Sequence, residues 1–302
     1  MGRTRITVVV LALAAILPAT ACTAPVTWAG PEPPADPAAI SVRYPVGSRE
    51  LRLSRGAGRP LRTVVLFPAA GPIGGPVRTG IAPAAGKFPL VLFSHGLRSA
   101  PERYVPTAAS WAAAGFVVAL PAYPHTRAGA PAFRRTDIKN QPADAAYVIG
   151  QVRQLGDKRG DPLAGRIDGD HVAAIGHSAG GYTTTGLFTA GHDERLRAGV
   201  VLAGWLAPGA FHGPPATMLF IQGDSDPVVP IAQGRAAYDR VPWSKSYILL
   251  PRNFHAQYML PGRPGYAEMD SVVTDFLRWT LTGDEAAHRR LPPSDFPADE
   301  RG

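Results

Sequence analysis

The chain has 302 residues and a formal net charge of +8, with 45% hydrophobic and only 18% charged residues. This globular composition excludes an intrinsically disordered chain, which would hold fewer apolar and more charged residues. The single cysteine excludes an intramolecular disulfide framework and a metal site built from several cysteines. The scattered arginines give no indication of nucleic-acid binding.

Residues 1–22 have the pattern of an export signal. Arg3 and Arg5 precede the largely apolar stretch 6–17, which is too short to span a bilayer, and small residues lead from it to Cys22. This ending resembles a bacterial lipobox, in which the cysteine carries lipid, although Ala19 stands where Leu, Ile or Val is usual. The alternative is ordinary cleavage that discards Cys22. The Ala- and Pro-rich residues 23–42 are predicted to be a tether, and a lipid anchor at Cys22 would be the attachment to a membrane.

Residues 43–285 are predicted to form one domain in which strands alternate with helices. The predicted strands are residues 51–53, 63–67, 88–93, 116–120, 172–175, 199–203, 218–222 and 246–250. The predicted helices are residues 106–115, 143–155, 179–190, 231–238 and 269–281. The first two strands are expected to pair antiparallel, and the later alternation predicts an α/β fold with a mostly parallel central sheet and helices on both faces. Residues 286–302 are expected to form a loosely held tail.

The motif G-H-S-A-G at residues 176–180 lies directly between a predicted strand and a predicted helix. This G-x-S-x-G pattern is typical of a nucleophile elbow, a sharp turn that exposes the serine while the flanking glycines let backbone segments approach closely. The helix N-terminus behind the turn favours developing negative charge. Ser178 is therefore the predicted nucleophile, and the alternative is an inert serine in a glycine-rich turn.

A second segment, Ser94-His95-Gly96-Leu97, follows the strand 88–93. The corresponding loop of α/β-hydrolases donates one backbone N–H to the oxyanion hole, and the residue after the nucleophile donates the other. The predicted donors are the amides of Leu97 and Ala179. His95 is expected to support the loop and not to act as a base.

The general base and its acid partner are expected at the ends of later strands. Asp226, in the segment G-D-S-D-P after the strand 218–222, is favoured over Asp224 because the acid usually lies three residues past the glycine. His255 follows the strand 246–250, whereas His288, which also comes late in the chain, lies in the predicted tail. The resulting order of serine, aspartate and histidine is that of α/β-hydrolases.

Six segments together resemble the α/β-hydrolases that include dienelactone-hydrolase-like proteins, platelet-activating-factor acetylhydrolases and cutinase-like polyester hydrolases. The segments are FPLVLFSHGL (88–97), AAAGFVVALPAYPH (112–125), QPADAAYVIGQV (141–152), RIDGDHVAAIGHSAGGY (166–182), MLFIQGDSDPVVP (218–230) and NFHAQY (253–258). Trp205 follows Gly204 as in the polyester hydrolases, which makes it a candidate substrate contact, with a core tryptophan as the alternative. The polyester hydrolases also have a C-terminal disulfide and an aromatic oxyanion residue. This chain has no cysteine after Cys22 and has Leu97 at that place, which favours the acetylhydrolase-like branch.

The resemblance implies an exported serine hydrolase that cleaves carboxylic esters, with short-to-medium acyl groups, through an acyl-enzyme. It would be secreted or anchored to the outer face of the cell membrane as a lipoprotein. We expect a small-molecule ester substrate, no metal or organic cofactor and no nucleic-acid partner. The alternatives are a lipase, a polyester hydrolase, or a non-catalytic surface lipoprotein that binds a ligand or a cell-wall partner.

Overall fold

A computed structural model describes Gly2 and residues 43–292. The strands are β1 (Val46–Ser54), β2 (Pro60–Pro68), β3 (Arg78–Thr79), β4 (Phe88–Ser94), β5 (Val117–Pro121), β6 (Ile167–His177), β7 (Leu196–Leu202), β8 (Thr217–Gly223) and β9 (Lys245–Leu250). The helices are α1 (Pro101–Ala113), α2 (Gln141–Asp157), α3 (Ala179–Thr189), α4 (Ile231–Asp239), α5 (Tyr266–Thr282) and α6 (Glu285–Arg290). Short 3-10 helices occupy Arg135–Asn140 and Gln257–Met259.

All nine strands join one sheet in the order β3-β1-β2-β5-β4-β6-β7-β8-β9. Strands β1 and β2 form an antiparallel pair, and β2 pairs antiparallel with β5. From β5 to β9 every pairing is parallel. The predicted mostly parallel α/β sheet and its antiparallel first pair are therefore confirmed. The carboxyl ends of β4, β6, β8 and β9 consequently lie at one edge of the sheet, where ligands bind in open α/β folds.

Helices cover both faces of the sheet. On one face α1 and α5 bury Trp111 and Phe276 against the strands. On the other face α2, α3 and α4 bury Val148, Phe188 and Tyr238. Because strands covered on both faces bury every side chain, β5 and residues 88–93 of β4 are continuous apolar runs with no polar alternation.

The start of α1 differs from the sequence prediction by five residues. The helix begins at Pro101, whereas Pro106 was the predicted first residue. Proline favours the first helical position because its missing N–H would be unpaired there, and both prolines therefore qualify. The earlier start buries Tyr104 between the helix and the sheet, and this tertiary packing decides the choice.

The described residues extend past the predicted domain end at 285. Helix α6 packs on α5, with Ala287 buried and Arg290 paired with Asp275. Residues 286–292, predicted to be loosely held, are thus part of the packed structure. The predicted export signal (1–22) with Cys22, the tether (23–42) and the end of the predicted tail lie outside the described residues, apart from Gly2. Within the described part of the chain, no helix combines the length and hydropathy needed to cross a bilayer.

Candidate active site

Ser178 lies at a strained turn between β6 and α3. Its backbone angles are φ 58° and ψ −119°, a region that residues with a side chain rarely adopt. The turn is held by hydrogen bonds from the Ser178 amide to the Leu202 carbonyl at 2.8 Å and from the Gly181 amide to the Ser178 carbonyl at 2.8 Å. The sequence prediction of a sharp elbow at this serine thus agrees with the observed backbone, and strain of this kind is common at active sites.

Two glycines allow the elbow to close. A Cβ at Gly176 would lie 1.9 Å from the Gly180 carbonyl oxygen, and a Cβ at Gly180 would lie 1.9 Å from the Ser94 carbonyl oxygen. No side chain fits at either position without moving backbone. Because Gly180 has no side chain, the start of α3 packs directly against the end of β4. This close packing brings the loop after β4 next to the nucleophile.

The two segments that carry the predicted oxyanion donors both border Ser178. A Cβ at Gly96 would be 3.3 Å from the Ser178 Cβ, so the loop after β4 borders the serine side chain. The next residue, Leu97, has an amide with no hydrogen-bond acceptor among residues 43–292. Ala179 is the first residue of α3, so its amide has no intrahelical acceptor. Both N–H groups are therefore available to a negatively charged oxygen.

His95 is a buried support of this loop. Its Nδ1 donates to the Gly96 carbonyl at 2.8 Å, and its Nε2 accepts from the Tyr123 amide at 3.2 Å. Burial lowers the pKa of His95 to about 4, so the ring is neutral at pH 7. Both ring nitrogens are occupied in the way the sequence led us to expect of a structural histidine.

Asp226 and His255 form a hydrogen-bonded pair on the loops after β8 and β9. Oδ2 of Asp226 accepts from Nδ1 of His255 at 2.8 Å, and the side chains are 0% and 15% exposed. Oδ1 accepts from the amides of Val228 at 2.8 Å and Val229 at 3.0 Å. Burial alone would raise the pKa of Asp226, but the hydrogen bonds from His255 and these two amides outweigh it and hold the pKa below its usual value. The carboxylate therefore stays charged and fixes the orientation of the imidazole.

The two competing residues lie elsewhere. Asp224 is exposed, and within residues 43–292 its carboxylate accepts only from the hydroxyl of neighbouring Ser225, at 2.8 Å. His288 stacks on Trp279, with ring centroids 3.9 Å apart, and its Nδ1 lies 3.6 Å from Glu285. The structure thus pairs with each other the same aspartate and histidine that the sequence favours.

His177 is a member of this cluster that the sequence reasoning missed. Its Nε2 donates to the His255 carbonyl at 2.8 Å, its Nδ1 accepts from the Tyr104 hydroxyl at 3.0 Å, and the two histidine ring centroids are 4.8 Å apart. The pKa of His177 is lowered to about 3, mainly by burial and to a smaller extent by the nearby charge of His255. The ring is therefore neutral at pH 7. Because His177 directly precedes Ser178, this contact places the His255 loop beside the nucleophile.

No hydrogen bond joins the Ser178 hydroxyl to His255 among residues 43–292. In serine hydrolases without substrate this bond is often long and shortens when substrate binds. Asp226 occupies Nδ1 of His255, so Nε2 is the nitrogen left to exchange a proton with a nearby group. In the same part of the chain, no three His, Cys, Asp or Glu side chains are grouped as ligands for a metal ion.

The surroundings of the cluster are partly apolar and exposed. Val228 and Phe254, which adjoin the Asp226 and His255 loops, are 62% and 55% exposed. Trp205, the predicted substrate contact, is half-buried and packs on Tyr182 of α3 with ring centroids 5.9 Å apart. These side chains can provide apolar contact area near the site.

A family model described as "PETase: PET hydrolase-like" matches residues 82–259, which is more than half of the chain and includes Leu97, Ser178, Asp226 and His255. The platelet-activating factor acetylhydrolase of Cavia porcellus is 27% identical over 170 residues, covering 44% of this chain and 37% of that protein. The chain thus spans little more than a third of the length of this curated relative. The nine-stranded sheet, the strained serine elbow and the match over residues 82–259 agree. The chain belongs to the PET hydrolase-like family of α/β-hydrolases, a family of carboxylic ester hydrolases.

Proposed function

We propose that this protein is an exported serine esterase that cleaves short-to-medium acyl esters through a covalent acyl-enzyme. The observation that carries the proposal is the 2.8 Å hydrogen bond between Asp226 and His255 next to the strained elbow of Ser178. A binding protein has no need for a backbone-strained serine beside an oriented histidine, whereas nucleophilic catalysis requires both groups.

In the first half of the reaction, Ser178 attacks the ester carbonyl. His255 Nε2 takes the hydroxyl proton as the Oγ–C bond forms, and Asp226 stabilises the imidazolium. The carbonyl oxygen becomes an oxyanion that accepts from the amides of Leu97 and Ala179, each donor contributing about 3–4 kcal/mol to transition-state stabilisation. The C–O bond to the leaving group then breaks, and the alkoxide takes the proton from His255 and departs as the alcohol.

In the second half, water replaces the alcohol. His255 removes a proton from the water as its oxygen attacks the acyl carbon, and the same two amides bind the second oxyanion. The bond to Ser178 Oγ breaks, the serine recovers its proton from His255, and the carboxylic acid leaves. Every proton that His255 accepts is returned within the cycle.

The preference for short-to-medium acyl groups rests on Leu97 at the oxyanion position and on the similarity to a protein named as an acetylhydrolase. Polyester hydrolysis is the second candidate. It is favoured by the family match and by the exposed Val228 and Phe254, which offer an apolar surface to an extended chain. Lipase activity on long acyl chains is the third outcome that the same assay separates.

The assay is hydrolysis of nitrophenyl esters from acetyl to palmitoyl by the chain from residue 23 onward and by its Ser178→Ala variant. We expect turnover to fall steeply beyond short chains and to drop at least about 10⁴-fold in the variant. Long-chain activity would support the lipase or polyesterase alternative instead. Folded protein with no turnover that depends on Ser178 would contradict the esterase proposal and favour a binding role.

Export and anchoring are proposed from Arg3, Arg5, the apolar stretch 6–17 and Cys22. The test is incorporation of labelled palmitate in a bacterial host by the full chain and by its Cys22→Ser variant. Label in the first and none in the second supports a lipoprotein on the outer face of the membrane. Release of unlabelled protein into the medium would support simple secretion, and retention of the uncleaved chain in the cytoplasm would contradict export.

A further inference from the structure

A network of three buried polar side chains links the loop after β5 to helix α3, whose first residue carries one of the oxyanion amides. Its members are Thr126, on the loop after β5, Gln141, the first residue of α2, and Thr183, one turn into α3. All three are 0% exposed. Burying a polar side chain costs free energy unless it is hydrogen-bonded. The hydrogen-bond partners of these three residues therefore show which parts of the fold they hold in place.

Gln141 is the central member of this network. Its Nε2 donates to the Thr126 hydroxyl at 2.6 Å, and its Oε1 accepts from the Thr183 hydroxyl at 2.5 Å. The Thr183 oxygen also lies 3.0 Å from the carbonyl of Ala179, the residue whose amide is one oxyanion donor. The carboxamide therefore spans the gap between the loop after β5 and the first turn of α3.

Thr126 continues the connection to the other donor. Its carbonyl accepts from the Arg98 amide at 2.8 Å. Arg98 has φ 54°, a left-handed conformation that is unfavourable for an arginine, and it directly follows Leu97. The backbone that presents the Leu97 amide is thus held by a residue that Gln141 in turn holds.

Gln141 itself is anchored through its helix. Asp144, in the first turn of α2, is buried and accepts from Arg55 at 2.7 Å and from Arg59 at 2.9 Å. Arg59 also pairs with Asp137, in the 3-10 helix that leads into α2. The start of α2 is therefore fixed from both sides, and Gln141 acts from a rigid base.

We propose that Gln141 is a positioning residue of the oxyanion hole. Through Thr126 and Thr183 it sets the separation and direction of the Leu97 and Ala179 amides, so that both point at the same oxygen of the tetrahedral intermediate. The proposal rests on the function proposed above, because it assumes that these two amides bind the oxyanion. Since the amides act mainly in the transition state, their misplacement lowers kcat and leaves KM nearly unchanged.

The experiment compares Gln141→Met and Thr126→Val, which remove the hydrogen bonds at similar volume, with Thr126→Ser, which keeps the hydroxyl. Thr63→Val is the matched control, because Thr63 is equally buried and, among the described residues, its hydroxyl donates to no group except the Leu61 carbonyl on β2. For each protein the measurements are kcat and KM with nitrophenyl acetate, the inhibition constant of a trifluoromethyl ketone that forms a tetrahedral adduct, and Tm.

We expect Gln141→Met and Thr126→Val to lower kcat about tenfold and to raise the inhibition constant of the trifluoromethyl ketone by a similar factor. KM should stay within about twofold of the wild-type value. Thr126→Ser should recover most of the loss, and Thr63→Val should lower Tm without changing kcat. If the network variants lose Tm like Thr63→Val but keep wild-type kcat and inhibitor affinity, the positioning role is wrong. Should Gln141→Met fail to fold, the comparison of Thr126→Val with Thr126→Ser still tests the positioning role. A wild-type protein with no turnover that depends on Ser178 would instead contradict the underlying esterase function.

Discussion

The site is assembled from two regions that are held in different ways. The nucleophile region, made of β4, β6 and the start of α3, is positioned by backbone: Gly176 and Gly180 allow main-chain contacts that no side chain could replace. The histidine region, made of the loops after β8 and β9, is positioned by side chains, chiefly the pairing of Asp226 with His255 and the contact of His177 with the His255 carbonyl. Its neighbours Val228 and Phe254 are exposed.

This difference predicts how each region responds to mutation. Backbone packing cannot be weakened in part, because an added Cβ either fits or displaces main chain. A side-chain hydrogen bond on a loop can be removed while the sheet beneath it stays folded. Substitutions that disturb the backbone contacts of the nucleophile region should therefore act first on stability, and changes in the histidine region should act first on turnover.

The largest expected effect is that of Gly180→Ala. Its Cβ would lie 1.9 Å from the Ser94 carbonyl oxygen, so the substitution must separate α3 from β4. We expect a loss of more than about 4 kcal/mol in the free energy of unfolding, measured by urea denaturation. Gly150→Ala in α2 is the control, because a Cβ there meets nothing within 4 Å and should stabilise the helix by about 0.5–1 kcal/mol. Equal stability of the two variants would refute the backbone account of this region.

In the histidine region, Asp226→Asn should leave the protein folded and lower kcat about 10³–10⁴-fold, because the amide no longer stabilises the imidazolium or fixes its tautomer. KM and the unfolding free energy should change little. Asp224→Asn, two residues earlier and exposed, should keep kcat within about twofold. The comparison would fail if Asp226→Asn unfolded the protein or if both variants lost activity equally.

A titratable group outside both regions sharpens the comparison. Asp270 of α5 accepts from the Ser110 hydroxyl, and burial raises its pKa to about 6. A carboxyl with a raised folded-state pKa contributes stability that is fully present below its unfolded pKa, about 4, and is lost as the pH rises through 6. Asp270→Asn should therefore be more stable than wild type by about 3 kcal/mol at pH 8 and equal to it near pH 3.5.

Thermal unfolding across this pH range measures the effect, with Asp239→Asn, an exposed residue of α4, as the control. The kcat of Asp270→Asn should match that of wild type, since its side chain bonds to Ser110 of α1 and not to Ser178, Asp226 or His255. A stability difference that is independent of pH would contradict the assignment.

The smallest effect is expected at Trp205, which is half-buried against Tyr182. Trp205→Ala should raise KM for aromatic or longer esters about fivefold, corresponding to about 1 kcal/mol of lost contact, with KM for the acetyl ester nearly unchanged. Trp205→Phe should give a KM for these esters between the values of wild type and Trp205→Ala. An equal rise in KM for all esters would indicate a general disturbance of α3 and not a substrate contact.

The parts of the site that depend on short sequence signals were predictable. The elbow at Ser178 follows from the glycines around it and the strand before it, and His255 follows from its place after a late strand. The contacts of His177 and Gln141 could not be read from the sequence, because their partners lie far along the chain and only the folded sheet brings them together. The start of α1 was misplaced for a related reason: two prolines qualify locally, and the burial of Tyr104 decides between them.

The most direct test of the central claim is labelling with a fluorophosphonate, which loses fluoride as a serine oxygen bonds to phosphorus. We predict rapid formation of one adduct, mapped by mass spectrometry to the peptide that contains Ser178. The adduct should be absent from Ser178→Ala and should form much more slowly in Asp226→Asn. A folded wild-type protein that is not labelled, or is labelled at another serine, would contradict the account.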